Sequence, residues 1–208
     1  MKGLKKLALA PVMAATVCVG AMLAPTEVYA SEHGMKGHPE RHAQHQKVMA
    51  MLARENIEYL RRHYARATDL IGLNTDESIA EGRAVYHKIF TPDAKITTSE
   101  NGKIGFSAVG PDAWVDVVAG ALKVFDSTQH LIGTQLVEIK SLPDHDGNGG
   151  EATMSSYLQA WHSDPDRVLD IFIGTYNDKV RYTPGIGWQI YEMNLEKVSG
   201  EVTDKSGS

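Results

Sequence analysis

The sequence predicts an α+β fold, with three N-terminal helices packed in a strongly curved antiparallel sheet. Three observations predict it. Apolar residues recur at three- and four-residue steps from Val48 to Ile71 and in two later stretches. Asn101-Gly102, a strong hairpin signal, separates two short β-prone runs. From Ser127 onward the chain alternates in long strand-like runs divided by turn-rich segments. Helices followed by a run of strands is the α+β order.

The elements follow in sequence. Lys2, Lys5 and Lys6 precede an apolar stretch from Leu7 to Leu23, and Val28-Tyr29-Ala30 supplies a signal-peptidase pattern. Residues 1–30 are therefore expected to be a signal peptide cleaved near Ala30, giving a periplasmic or secreted protein without a stable membrane anchor. Residues 31–47 are polar and hold His33, His38, His42 and His45. They read as a His-rich flexible leader. The last three histidines could share a helix face and grip a metal, but no acidic or cysteine ligand completes the set, and no metal is assigned.

The domain is expected over 48–198. Ile57, Leu60, Tyr64, Ala67 and Ile71 form the apolar face of the first helix, which Gly72 ends. Asn74 or Thr75 caps a second helix, stopped at Thr91-Pro92 because the residue before proline avoids helical geometry. A hairpin of residues 94–98 and 103–108 follows. Pro111 opens a third helix, whose apolar face includes Trp114, Val118, Leu122 and Phe125. Four strands are placed near 127–140, 151–163, 167–182 and 187–197. Residues 199–208 read as a disordered tail.

Composition removes several function classes. The full chain carries a net charge of −5. Without Lys2, Lys5, Lys6 and Glu27, it holds 18 basic and 25 acidic residues, a charge of −7. A mildly acidic chain with no basic stripe is not expected to partner nucleic acid. Cys18 is the only cysteine, so the exported chain would have neither a disulfide nor a thiol nucleophile. No phosphate-binding or dinucleotide fingerprint is present, and no cofactor is assigned. Asp144-His145-Asp146-Gly147-Asn148-Gly149 matches half of a calcium loop. Its twelfth position is Ser155 rather than a glutamate, and a polar hairpin loop accounts for it.

Acid–base chemistry remains. Histidine titrates near neutral pH, so a positioned imidazole can take and return a proton. His130, in Thr128-Gln129-His130-Leu131-Ile132-Gly133, is placed on a strand face with Ile132, Thr134 and Leu136. His162 stands on the next long strand, alternating with Ala160 and Leu158, beside Trp161. Asp69 offers a carboxylate at the end of the first helix. It points about 140° from Tyr64 on a regular helix, so it reaches a pocket only where the helix edge near Ala65 and Thr68 lines one.

These motifs have a familiar order. Tyr64-Ala65-Arg66-Ala67-Thr68-Asp69 precedes Thr91-Pro92-Asp93-Ala94, then the His130 and His162 strands, then Gly174-Thr175-Tyr176-Asn177-Asp178-Lys179 and Gly187-Trp188-Gln189-Ile190. Over about residues 50–198 this resembles the SnoaL-like branch of the nuclear-transport-factor-2-like superfamily. Its members include scytalone dehydratase, bile acid 7α-dehydratase and ketosteroid isomerase.

The resemblance implies a cone-shaped barrel with an apolar cavity, and an Asp–His dyad at Asp69 and His130 accompanied by Tyr64. It implies Arg181 near a leaving group, with His162 and Trp161 lining the cavity. The function expected is a cofactor-independent lyase or isomerase acting on a small hydrophobic, ring-containing molecule. The alternative is a non-catalytic ligand-binding or assembly module of the same fold. A homo-oligomer, dimer or trimer, is implied as well.

Overall fold

The computed structural model describes residues 39–164 and 167–204. The expected signal peptide and the first part of the His-rich leader lie outside the described residues. Helix α1 spans Pro39–Gly72 and α2 spans Asp76–Ile89. Strands β1 (Phe90–Glu100) and β2 (Lys103–Val109) form the hairpin, followed by α3 (Pro111–Leu122). Strands β3 (Ser127–Pro143), β4 (Gly149–Asp164), β5 (Arg167–Thr183) and β6 (Gly187–Asp204) complete the chain.

Two boundaries differ from expectation. The helix already runs through residues 39–47, read as a flexible leader, with His42 and His45 exposed. Residues 199–204, read as disordered tail, extend β6 and pair with β5.

Local signals account for the turns. Thr75 caps α2, accepting from the Ser78 N–H while the Ser78 hydroxyl accepts from the Thr75 N–H. Asn101 (φ 51°) and Gly102 (φ 72°) both adopt the left-handed conformation that a tight hairpin turn requires.

The sheet order is β2-β1-β6-β5-β4-β3. All pairs are antiparallel except β1 with β6, which is parallel, so the expected antiparallel sheet is in fact mixed. Strands β2 and β3 are free edges, so the cone stays open. The helices cover one face, with α1 against β3 and α2. Along β4 every second residue from Ala152 to His162 is buried, the period-two signature of a sheet with one packed face.

The core is aromatic. The Tyr64 ring stacks on Tyr86 with centroids 5.2 Å apart, and Phe90 and Tyr176 meet Tyr64 edge-on. Arg61 is fully buried among them, 3.7 Å from the Tyr176 ring centroid, and one of its nitrogens lies 2.5 and 2.6 Å from the two Asp178 carboxylate oxygens.

One feature of β3 corrects the sequence reading. Thr134 has φ 42° and marks a bulge where the β3–β4 register shifts between Gly133 and Leu136. His130 and Ile132 face inward before it; Gln135, Val137 and Ile139 do so after it. Leu136, expected on the His130 face, is 66% exposed. Gln135 instead donates to the Glu58 carbonyl at 3.0 Å, tying β3 to α1.

Candidate active site

Asp69 lies near the C-terminal end of α1, where the helix edge meets β3. Its Oδ1 is 2.7 Å from His130 Nδ1 and accepts from the His130 backbone N–H at 3.1 Å. The side chains are 21% and 8% exposed. A carboxylate only accepts, so Nδ1 carries the hydrogen in this pair and neutral His130 keeps its lone pair on Nε2. Because β3 is a sheet edge, Asp69 also satisfies a ladder amide that no neighbouring strand can reach. The helix-angle difficulty is resolved by position: Thr68 lines the cavity, and Asp69 sits behind His130 rather than in the cavity itself.

The second histidine is held differently. His162 Nδ1 is 2.7 Å from the hydroxyl of Thr128, its cross-strand neighbour. Its ring stacks on Phe125 at 4.7 Å and meets the His130 ring edge-on at 5.7 Å. Burial pushes the His162 pKa down to about 4, and the nearby His130 adds to the fall; Asp170 and Asp69 oppose it. His162 is therefore neutral at pH 7, and the two rings do not repel as cations.

Tyr64 reaches the same cavity from α1. Trp114 Nε1 donates to its hydroxyl oxygen at 3.1 Å. The Thr68 hydroxyl donates to the Tyr64 carbonyl at 2.8 Å, so Tyr86 is the donor in its 2.6 Å contact with Thr68. The Tyr64 hydroxyl thus accepts from Trp114, with the Tyr86 and Tyr176 hydroxyls close beside it. The cavity has a volume of about 690 Å³ and is lined mainly by apolar groups, among them Trp114, Val118, Leu158 and Tyr176. Four sequence-predicted residues meet around it: Tyr64, His130 and His162 as lining, with Asp69 behind His130.

Two expected lining residues do not. Trp161 alternates with the inward Ala160 and His162, so it lies on the opposite face of β4 and outside the cavity. Arg181 is on the outer face of β5, paired with Asp93 at 2.6 Å and near the Tyr191 ring, far along the strand from Asp170 and Phe172. Trp114 and Asp170 also line the cavity, and Thr128 holds His162 from β3. Thr128 and Asp170 were accessible only through strand register, which pairs each directly with His162.

The only histidine–carboxylate cluster with metal-like spacing among the described residues is Asp144, His145 and Asp146, all exposed. Asp144 Oδ1 accepts the backbone N–H groups of Asp146 and Asn148 at 3.0 and 2.8 Å, as a polar hairpin turn does.

Residues 49–194 match the model of the SnoaL-like domain. The chain belongs to the SnoaL-like family. No curated protein sequence matches it. Among solved structures, the SnoaL-like chain is similar to a scytalone-dehydratase-like protein from Novosphingobium aromaticivorans, at 20% identity and TM-score 0.55, over 79% of this chain and 98% of that one. It is also similar to the hexachlorocyclohexane dehydrochlorinase LinA-type3 from Novosphingobium barchaimii, at 12% identity and TM-score 0.56, over 78% and 96%. A third is the β subunit of an aromatic-ring-hydroxylating dioxygenase from N. aromaticivorans, at 16% identity and TM-score 0.52, over 72% and 92%. These likenesses establish the nuclear-transport-factor-2-like fold of this SnoaL-like domain.

Proposed function

We propose that this SnoaL-like protein is a cofactor-independent lyase or isomerase that acts on an apolar, ring-containing molecule by general acid–base chemistry. The observation that carries the reading is the double hold of Asp69 on His130, through Nδ1 and the backbone N–H, at the wall of an apolar cavity. His130 Nε2 takes a proton from a carbon next to an activating group. The freed electron pair forms the new double bond. In a lyase the neighbouring hydroxyl departs as water, with the proton returned from His130; in an isomerase that proton returns at a different carbon. Asp69 fixes the tautomer and stabilises the imidazolium. The Tyr64 hydroxyl donates to the oxygen on which charge develops.

Similarity to a scytalone-dehydratase-like protein and a dehydrochlorinase favours elimination. The expected export places the reaction in the periplasm or outside the cell. His130→Ala is expected to abolish loss of water from hydroxylated cyclic ketones, followed by mass spectrometry, with folding retained. Full turnover in that variant contradicts the reading.

A second reading, a non-catalytic binding or assembly module, is favoured by the likeness to a dioxygenase β subunit. The outer sheet face also exposes Leu131 and Tyr157, with Trp161 between them and Ile171. We assign this face to homo-oligomer contact in either reading.

A further inference from the structure

Asp170 stands half-buried in the cavity wall, on the inward face of β5 with Phe172. It takes no part in the acid–base scheme above. Directly across the β4–β5 ladder from it is His162. Side chains facing each other across an antiparallel pair have Cβ atoms about 4.5–5.5 Å apart. Among the described residues, no hydrogen-bond donor, lysine or arginine is paired with the Asp170 carboxylate. A carboxylate on an apolar wall loses part of its water, and a positively charged partner offsets that cost best.

The protein's own cations do not supply this partner. Burial keeps His162 neutral at pH 7, with its pKa lowered to about 4. His130 turns its Nδ1 to Asp69. Two lysines line the cavity, both toward the β1–β2 hairpin. Lys103 begins β2. Lys197 is 3.1 Å from Glu100 and lies across from Gly174, roughly 13 Å along β5 from Asp170. The histidine end thus has Asp170 in its wall and Asp69 behind it, with no lysine or arginine lining it.

Aromatic rings stand on both sides of this carboxylate's neighbourhood. Phe172 is next on the same face of β5, and Phe125 stacks on His162 at 4.7 Å. The electron-rich face of such a ring also attracts a cation.

We propose that Asp170 is a specificity residue that takes an ammonium group, so that the cavity selects ring-containing amines in their protonated form. The ammonium nitrogen donates to the Asp170 carboxylate beside Phe172, and the ring lies along the apolar wall toward His130. This deepens the functional reading by naming a substrate class, and it rests on that reading only for which carbon faces His130.

The test uses the full chain and two ligands of the same shape, 2-naphthylmethylamine, protonated at pH 7, and 2-naphthalenemethanol. Affinities are measured by calorimetry at pH 7 and low salt. The ammonium is expected to bind at least tenfold tighter than the alcohol. Asp170→Asn is expected to weaken the ammonium about tenfold and to leave the alcohol within twofold, while Asp170→Glu keeps most of the preference. Unchanged circular dichroism confirms that the variants fold, and the wild-type comparison needs no variant. Equal affinity for the two ligands in the wild type, or no binding of the ammonium at millimolar concentration, overturns the proposal. So does a preference that survives Asp170→Asn, or an equal loss for both ligands in that variant. Cation selection at Asp170 with turnover that ignores His130 removes the acid–base reading alone. Turnover that needs His130 without cation selection removes this inference alone.

Discussion

His130 gives both its ring Nδ1–H and its backbone N–H to one carboxylate oxygen, that of Asp69, at 2.7 and 3.1 Å. One helix residue thereby fixes the strand amide, the imidazole tautomer and the direction of the free Nε2. Asp69 is not among the cavity-lining residues, so in the proposed mechanism it acts through His130.

Replacing Asp69 with asparagine keeps the shape of this contact and removes its charge. Turnover is expected to fall by about 10²-fold or more, since the imidazolium loses its counter-charge. Nitrogen NMR of labelled histidine gives the direct readout. Neutral His130 is expected as the Nδ1–H tautomer in the wild type and as a mixture in Asp69→Asn. An unchanged tautomer with unchanged turnover would remove Asp69 from the mechanism.

His162 makes stability fall on the acid side. Its folded pKa of about 4 lies below the ordinary 6.5, so the unfolded chain binds the proton more readily between these values. The stabilising contribution is complete above pH 6.5 and is lost as pH falls toward 4, by about 3 kcal/mol. Chemical denaturation at pH 7 and pH 4.5 should show a smaller loss in His162→Gln than in the wild type. Equal losses would show that His162 protonates as readily folded as unfolded.

Gly72 has a close-approach role. A Cβ there would lie 2.3 Å from Thr128 Cγ2 and 3.3 Å from Leu122 Cδ1. Gly72→Ala is expected to cost about 1–3 kcal/mol by overpacking. It should also displace Thr128 from His162. Adding Thr128→Ser removes the methyl and keeps the hydroxyl, so the double variant should recover most of the loss. Additive losses would place the strain elsewhere.

Arg61 and Asp178 form a fully buried ion pair. Arg61→Met leaves the Asp178 charge without a partner in the core and is expected to destabilise by about 3–5 kcal/mol in urea denaturation. Arg61→Met with Asp178→Leu should recover much of this. A single variant as stable as the wild type would mean that water or another group reaches Asp178.

The element order was legible because its signals are local. Apolar periodicity marked α1, Thr75 and Pro92 bounded α2, and Asn101-Gly102 fixed the hairpin. Asp69 and His130 were legible only as an order of motifs, since a helix wheel places Asp69 off the apolar stripe; the meeting depends on where β3 crosses α1. The remaining features depend on tertiary geometry or on strand parity. Thr134 flips the inward parity of β3 through a bulge that begins at Gly133, an isolated glycine inside a strand pattern. Arg61 reads as a surface charge until Asp178, more than a hundred residues away, meets it in the core. Trp161 and Arg181 were expected at the cavity from the resemblance, whereas alternation along β4 and β5 sends both to the outer face of the sheet.

In the proposed mechanism His130 abstracts a carbon-bound proton with Asp69 behind it. The most direct measurement is deuterium uptake from heavy water into cyclic ketones bearing an acidic C–H, followed by NMR, with full-length wild type, His130→Gln and Asp69→Asn. Uptake well above background is expected with the wild type, none above background with His130→Gln, and a rate reduced by about 10²-fold or more with Asp69→Asn. Uptake by His130→Gln at the wild-type rate would contradict it.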